Sequence, residues 1–343
     1  MTTRPWDDHA DPRRLRAWYR VCSSRELSPG QVFTWSLQEK SFVLYRGRTD
    51  RRVRGLAAHC SHMGVHLGHG TVVGDRIQCP LHHWKWGDGG SCLLPDAGRP
   101  PNGIRHAFYP VQEQYGEIFL FNGGEALYPL PEFDVAPQSL AFRCGRAVRL
   151  RCPWLAVAAN GFDIQHLRNV HGRALQREPV LELPDRHRAR LRYVSSVTGH
   201  SVADRAIRWL SGDSISVTVT CYGGTIISVE SDLGSVRSVL MLCLRDLGGS
   251  VEVVPVFGGI GRSRWSSSLR ALVAQWLYGS FIRKDVGFMD DMHFRHPRAG
   301  PDDPVLHRFL KYAVELPAEE HQLGSDSPRP VRLTALETTE AAR

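Results

Sequence analysis

The chain has 343 residues and 42% hydrophobic side chains, enough for one large globular domain or two smaller ones. Its formal net charge of +8 comes almost wholly from arginine, and no aromatic-basic motif accompanies it, which argues against a nucleic-acid partner. The polar first residues lack the pattern of a secretory leader, and the apolar segment 269–282 is too short to span a bilayer, so we expect a cytoplasmic protein without a membrane span.

Short strand-like patterns, separated by Gly, Pro and Asp-Gly turns, dominate the first third of the chain. They predict a small all-β domain over residues 40–124, preceded by an N-terminal segment at 1–39. The next stretch, 125–142, is rich in proline and is interpreted as a linker.

Two Cys/His pairs lie in loops of the predicted small domain. Cys60-x-His62 is followed, after sixteen residues, by Cys79-x2-His82. Two thiolates on one iron and two imidazoles on the other form the ligand set of a Rieske [2Fe–2S] cluster. A structural zinc site is the alternative, but its usual C-x2-4-C and H-x3-5-H spacings differ from these. A second alternative is that the cysteines are merely buried and the histidines merely solvated. Chance is a poor explanation for four possible ligands at this spacing, so the motif predicts the cluster.

The residues around this motif add two expectations. Val65 and Leu81 stand where the respiratory Rieske proteins, which this motif resembles, carry the cysteines of a disulfide, so no such bridge is expected. Trp84, Trp86 and Phe121 are interpreted as apolar packing that shields the cluster. The other six cysteines follow no pattern and are expected to be buried thiols.

A larger region over 143–317 combines helical stretches with long strand-like runs. It predicts a second, catalytic domain with an antiparallel sheet flanked by helices, so the fold class of the chain is α+β. The helices are expected at about 153–170, 265–294 and 303–315. Residues 318–343 have the composition of a disordered tail.

The first of these predicted helices carries the pattern Asp163-x2-His166-x4-His171. Residues five apart diverge on an ideal helix, so a distortion or a helix end near Asn169 is needed to turn both rings to one side. Two histidines and one carboxylate from elsewhere form the facial triad of non-haem Fe(II) oxygenases. The alternative is that both histidines are polar surface residues, but the cluster motif upstream favours a metal site.

The two motifs, in this order, resemble those of the oxygenase component, or alpha subunit, of the Rieske non-haem iron ring-hydroxylating oxygenases. The resemblance extends from Trp18 to about His296. It implies a Rieske [2Fe–2S] cluster, a mononuclear non-haem Fe(II) and O2 as co-substrate. It also implies a homotrimer, in which electrons cross from the cluster of one subunit to the iron of the next.

The resemblance assigns roles to individual residues. His166 and His171 would bind the mononuclear iron, and Asn160 stands where the family often has an amide or acid near that iron. Asp163 matches the family's bridging acid, which forms hydrogen bonds between an iron-ligating histidine and a cluster histidine of the neighbouring subunit.

The third iron ligand is an aspartate of the last long helix in many members of the family. Asp285 matches that position, and Asp290 and Asp291 are the competing candidates. The sequence departs from the family pattern at Lys284, where an acid commonly precedes the ligand. Any of these aspartates could alternatively be part of a solvated helix surface.

No G-x-G-x-x-G pattern of a dinucleotide-binding fold is present, so electrons from NAD(P)H are expected to arrive through a separate reductase, with or without a ferredoxin. The segment 62–92 resembles steroid ketone hydroxylases, cholesterol desaturases and single-component oxygenases of secondary metabolism, including arylamine N-oxygenases. We therefore expect hydroxylation of a small apolar polycyclic or heteroaromatic substrate. Desaturation, N-oxygenation and oxidative cyclisation are the alternatives with the same iron, and a pure electron carrier or an inactive scaffold are the alternatives without it.

A substrate pocket is expected between the sheet and the helices of the larger domain. The candidates for its lining are large apolar residues, each of which could instead belong to the core: Trp209, Tyr222, Ile226, Val239, Met241, Val256, Phe257, Trp276 and Phe281.

Overall fold

A computed structural model describes residues 14–95, 104–136, 139–234, 236–294 and 303–319. The predicted disordered tail lies outside the described residues, apart from Ala318 and Glu319. Among the described helices, none combines the length and the apolar character that a bilayer crossing requires.

The N-terminal module consists of three small antiparallel sheets. The first contains, in spatial order, β10 (Phe108–Tyr109), β5 (Val53–Ala57), β4 (Lys40–Arg46) and β3 (Val32–Leu37). The second contains β11 (Val111–Gln114), β12 (Glu117–Phe121) and β2 (Trp18–Ser23). The third contains β6 (Thr71–Val73), β7 (Arg76–Gln78), β8 (Lys85–Trp86) and β9 (Cys92–Leu93).

Short turns fix the register of these sheets. The two-residue connection between β11 and β12 has φ of 60° at Tyr115 and 78° at Gly116. Two successive positive φ values define a type I′ turn, whose twist matches that of the strands it joins. The same sheet depends on a buried ion pair, because Arg20 Nη2 in β2 lies 2.6 Å from Glu117 Oε2 in β12.

The larger domain is built on a nine-stranded antiparallel sheet. The main path of this sheet runs through β13 (Leu140–Cys144), β21 (Val251–Ile260), β20 (Arg237–Asp246), β19 (Ile226–Asp232), β18 (Ile215–Tyr222), β17 (Arg188–Val197) and β15 (Arg173–Leu175). Two further strands join it, β14 (Val148–Leu150) on β21 and β16 (Val180–Asp185) on β17. The helices are α1 (Trp154–Asn160), α2 (Ile164–Asn169), α3 (Val202–Ser211), α4 (Arg264–Met289) and α5 (Pro304–Val314). The predicted α+β class is confirmed.

Helix α4 packs closely across β13, β20 and β21. A Cβ atom at Gly259 would lie only 2.3 Å from the carbonyl oxygen of Ser267, so this glycine allows the helix to approach the sheet. On the other side of the domain, Phe162 stacks on Phe309 of α5 with ring centroids 4.0 Å apart. These contacts hold α4 against the sheet and the connection between α1 and α2 against α5.

Two strand pairings join parts of the chain that the sequence analysis assigned to separate segments. The predicted N-terminal segment 1–39 supplies β2 and β3 to the sheets of the N-terminal module, so those sheets begin before residue 40. In addition, β1 (Arg14–Leu15) pairs with β22 (Ala318–Glu319), at the start of the predicted tail. Because β2 and β12, like β1 and β22, are far apart in sequence, alternation alone cannot reveal these pairings, and the predicted domain boundaries stay a prediction.

We predict that Arg20→Met lowers the free energy of unfolding by about 3 kcal/mol, because the nearly buried Glu117 would lose its charge partner. Urea unfolding followed by tryptophan fluorescence measures this loss. Arg25→Met is the matched control, since Arg25 is exposed and its replacement should change stability by less than about 0.5 kcal/mol. Equal stabilities of the two variants would contradict the prediction.

Candidate metal centres

The two Cys/His pairs of the N-terminal module lie at the tips of two similar loops. In the first loop, Gly64 donates its N–H to the carbonyl of Cys60 at 2.8 Å and has φ of +77°. In the second, His83 donates to the carbonyl of Cys79 at 3.1 Å and has φ of +58°. Each loop thus closes a tight left-handed turn directly after its cysteine.

The four predicted cluster ligands differ in burial. Cys60 and Cys79 are buried, at 3% and 2% exposure, whereas His62 and His82 are exposed with ring centroids 4.6 Å apart. Burial raises the pKa of the Cys60 thiol, and coordination to a metal would stabilise its thiolate against this effect. Two inner sulfurs and two outer imidazoles are the donor set that a Rieske cluster requires.

The three aromatic residues expected to shield the cluster do different things. Trp84 stacks flat on the ring of His62, with centroids 4.0 Å apart and planes 7° from parallel. Trp86 is fully buried, and its indole N–H donates to Cys60 Sγ at 3.3 Å. Phe121 packs instead edge-on against Trp18 in the main core, with centroids 5.3 Å apart.

A second group of possible metal ligands forms inside the larger domain. His166 Nε2 lies 3.0 Å from His171 Nε2 and 3.1 Å from Asp285 Oδ1. The distance from His171 Nε2 to the same carboxylate oxygen is 2.9 Å. The three donor atoms therefore form a nearly equilateral triangle, the one cluster of this kind among the described residues.

The size of this triangle tests which metal geometry fits. Bonds of about 2.1 Å at right angles place donor atoms roughly 3.0 Å apart, as on one face of an octahedron. Tetrahedral angles at the same bond length require about 3.4 Å. The observed edges are short enough for the three donor atoms to share one ion, and two imidazoles with one carboxylate form the donor set of a facial Fe(II) site.

The local sequence explains how two histidines five residues apart converge. Asp163 caps the N-terminus of α2, where its Oδ1 accepts the backbone N–H of His166 at 2.8 Å. The helix ends at Asn169, and Gly172 has a left-handed φ of +57°. His171 therefore lies beyond the last helical turn and its ring points back to His166.

Helix α4 supplies the carboxylate. Burial alone would raise the pKa of Asp285, but hydrogen bonds with His166 and His171 outweigh it and hold this pKa below its ordinary value. The two competing candidates lie elsewhere: Asp290 Oδ2 accepts from Arg151 Nη2 at 3.1 Å, and Asp291 lies near the same arginine. The structure thus brings Asp285, and neither competitor, to the two histidines.

The other two predicted site residues border the same space. Asn160 and Asp163 both line a cavity that reaches His166, His171 and Asp285. Among the described residues, no hydrogen bond joins the Asp163 carboxylate to a histidine ring. The carboxylate instead caps the N-terminus of α2. The bridging role of Asp163 and the iron-proximal role of Asn160 therefore stay predictions.

The cavity has a volume of about 190 Å³ and its walls are mostly aliphatic. On four neighbouring strands every second residue faces it: Ile215, Val217 and Val219; Ile227, Val229 and Ser231; Ser238, Leu240 and Leu242; Val253 and Pro255. Of the nine residues predicted to line a pocket, only Phe281 does so. Trp209 and Trp276 are 84% and 50% exposed, and the other six are buried in the core outside the cavity wall.

One part of the cavity wall carries hydroxyl groups. Tyr278 Oη on α4 donates to Ser231 Oγ at 2.8 Å and lies 3.3 Å from Ser238 Oγ. Tyr278 precedes Asp285 by seven residues, which separates them by about 10 Å along the helix axis. The cavity thus runs from a hydroxyl cluster to the three metal-ligand candidates.

Comparisons with known proteins agree with this architecture. Residues 17–106 match the Rieske [2Fe-2S] domain family. Cholesterol 7-desaturase of Bombyx mori is 32% identical over 51% of this chain and 41% of its own length. Aminopyrrolnitrin oxygenase of Pseudomonas fluorescens is 31% identical over 47% of each protein. The chain therefore contains a Rieske [2Fe-2S] domain, and about half of it is similar to two proteins named as a desaturase and an oxygenase.

The chain spans less than half the length of these two relatives. The structural similarity covers more of the chain than the sequence similarity does. The crystal structure of dicamba monooxygenase bound to dicamba superposes with a TM-score of 0.65 over 88% of this chain and 97% of that one, at 18% identity. Both the cluster module and the sheet domain therefore share the fold of that protein.

We predict that His171→Ala lowers the iron content from about three to about two per chain and leaves about two acid-labile sulfides, because it opens one corner of the ligand triangle. Metal analysis and sulfide determination on anaerobically purified protein measure this change. Asp290→Asn is the control, because Asp290 stands at the C-terminal end of α4, the helix that carries Asp285, but pairs with Arg151. Iron loss in the control, or full iron in His171→Ala, would argue against the assigned site.

Proposed function

We propose that this chain is the oxygenase component of a Rieske-type system that uses O2 and externally supplied electrons to hydroxylate a small apolar ring substrate. One observation carries the proposal: the triangle of His166, His171 and Asp285 borders an apolar cavity in a chain that also has a Rieske module. A ferrous ion held by this triangle would supply the O2 chemistry and keep coordination positions open toward the cavity.

The residues around the triangle hold and shield the reacting centre. Asp285 stays ionised because its hydrogen bonds to both histidines lower its pKa, so it offers a charged oxygen to a cation. Aliphatic walls exclude water from the space where the substrate would lie. Phe281 packs against the ring of His171, with centroids 4.7 Å apart, and restricts how that imidazole can turn.

Electrons would enter and leave through the exposed imidazoles of the cluster module. His62 and His82 are exposed, and beside them Met63 and Leu81 are 66% and 50% exposed. An apolar surface around the ligand edges suits docking of another protein. We propose an NAD(P)H-linked reductase, with or without a ferredoxin, as electron donor. The cytoplasmic location expected from the sequence stays a prediction.

The same surface suits a homotrimer in which the cluster of one subunit docks near the iron of the next. Asp163 would then link an iron-ligating histidine to a cluster histidine of the neighbour. Its placement at the cavity, with Oδ1 accepting the backbone N–H of His166, supports this role because its other oxygen has no hydrogen-bond partner among the described residues.

The cavity supports an apolar ring system with one hydrogen-bonding group as substrate. Its volume of about 190 Å³ is comparable to a cavity of about 150 Å³ that admits benzene, so a compact ring system fits it without rearrangement. We propose that Tyr278, Ser231 and Ser238 hold the polar group and so fix which atom of the substrate faces the iron site.

Desaturation is the second candidate reaction. The relatives matched by this chain include a protein named cholesterol 7-desaturase and another named aminopyrrolnitrin oxygenase. The same ligand triangle and cavity serve either outcome, since the position of the substrate decides which bond reacts. N-oxygenation and oxidative cyclisation remain further variants of the proposal.

Metal analysis combined with spectroscopy tests the function as a whole. We predict about three iron atoms and about two acid-labile sulfides per chain, and an EPR signal typical of a Rieske cluster after dithionite reduction. Protein loaded in this way should consume O2 with a surrogate reductase and apolar ring compounds. About two iron atoms per chain that added Fe(II) cannot increase would overturn the oxygenase proposal and favour an electron carrier.

For the bridging role we predict that Asp163→Asn retains both metal centres yet loses at least about 90% of product formation. Asparagine caps a helix as well as aspartate does, so α2 stays intact while the charge disappears. Asp163→Ala additionally removes the cap, at a cost of about 1 kcal/mol, and separates the structural effect. Turnover near wild type in the asparagine variant would exclude the role.

A further inference from the structure

A hydrogen bond joins a buried tryptophan to a ligand of the predicted cluster. The indole N–H of Trp86 donates to Cys60 Sγ at 3.3 Å, and both side chains are buried, at 0% and 3% exposure. The backbone N–H of His62 also donates to this sulfur. Water cannot take the place of a donor inside this core, so the contact persists as long as the indole keeps its orientation.

That orientation is fixed from several directions. Trp86 lies in β8, paired with Ile77 of β7 and Cys92 of β9, and its carbonyl accepts the hydroxyl of Tyr45 at 3.1 Å. On one face its ring packs against His106, with centroids 4.9 Å apart. The indole is therefore held by the sheet and by a neighbouring ring.

His106 is itself locked in place. Its Nε2 lies 2.9 Å from the carbonyl of Ala57, which can only accept, so Nε2 carries the proton. Its Nδ1 then accepts from Ser61 Oγ at 2.7 Å. Ser61 directly follows Cys60 in the cluster loop, so this network ties the supporting ring to the same loop that supplies the sulfur.

We propose that Trp86 sets the reduction potential of the cluster by donating this hydrogen bond to Cys60. Reduction adds one negative charge to the cluster, and an N–H dipole aimed at a ligand sulfur stabilises the more negative state. The effect is strong in a buried site because little solvent screens it. Trp86 therefore raises the potential and favours acceptance of an electron from the donor protein.

The inference rests on the proposed cluster but is independent of the second metal site and of the substrate. It assigns to Trp86 a chemical role beyond packing, carried by one atom of the side chain. Trp84 makes the comparison possible, because it stacks on His62 and, among the described residues, its indole donates no hydrogen bond to a sulfur of the predicted cluster.

The test is the midpoint potential of the full-length protein, measured by spectroelectrochemical titration of the Rieske absorption. We expect Trp86→Phe to shift the one-electron equilibrium about tenfold toward the oxidised state, which lowers the potential by about 59 mV. Trp84→Phe is the matched control and should change the equilibrium less than about twofold. Equal shifts in both variants, or an unchanged potential in Trp86→Phe with an intact cluster, would overturn the proposal.

A second replacement keeps the test decisive if Trp86→Phe fails to hold its cluster. Benzothienylalanine introduced at position 86 preserves the bicyclic shape and lacks only the N–H, so it should lower the potential like phenylalanine. Iron and sulfide content of the wild-type protein is measured first. Absence of a cluster in the wild-type protein would refute the proposed function. An intact cluster whose reduction potential does not change when the N–H at position 86 is removed would refute this inference alone.

Discussion

The close approach of helix α4 to the sheet is the constraint on which the second metal centre depends. Three donor atoms must meet within about 3 Å, and they come from two segments more than a hundred residues apart, so neither segment can form the site alone. Gly259 lets the helix lie against β21, and this placement carries Asp285 to the two histidines. Without the early end of α2 after Asn169, His171 would point away and the triangle would lack a corner.

The candidate ligands of the two metal centres differ in their exposure to solvent, and this difference suits their proposed roles. The cluster loops bury their sulfurs and present their imidazoles at the surface, where another protein can approach within electron-transfer distance. The ligand triangle instead faces an aliphatic cavity, where water is excluded and a ring substrate can lie beside the reacting centre. A chain with both features separates delivery of electrons from the chemistry that uses them.

Local spacing was enough to identify most of the candidate ligands, because Cys60, His62, Cys79 and His82 lie in two short loops and His166 and His171 lie within one turn region. Asp285 was assigned from the family resemblance instead. The cavity wall was not predictable in this way. Strand residues alternate between two faces, so an error of one position moves a side chain from the cavity into the core. Ile226, Val239, Met241 and Val256 are each one residue out of step with the lining residues Ile227, Leu240, Leu242 and Pro255. Only the pairing register of the sheet, which is a long-range property, settles that choice.

The family resemblance ranked Asp285 above its competitors, and helix periodicity explains why the structure brings only Asp285 to the two histidines. Residues 278, 281, 282 and 285 lie within an arc of about 100° around the helix, and all four line the cavity. Asp290 follows the helix end and would be turned by about 140° if the helix continued, so its carboxylate meets Arg151 instead. Trp86 shows a similar limit in a strand. Its large apolar ring predicts burial from the sequence, whereas the direction of its indole N–H depends on the register of β8 against β7 and β9. Residue type therefore predicts where such a side chain lies, and tertiary structure decides which of its atoms touches the site.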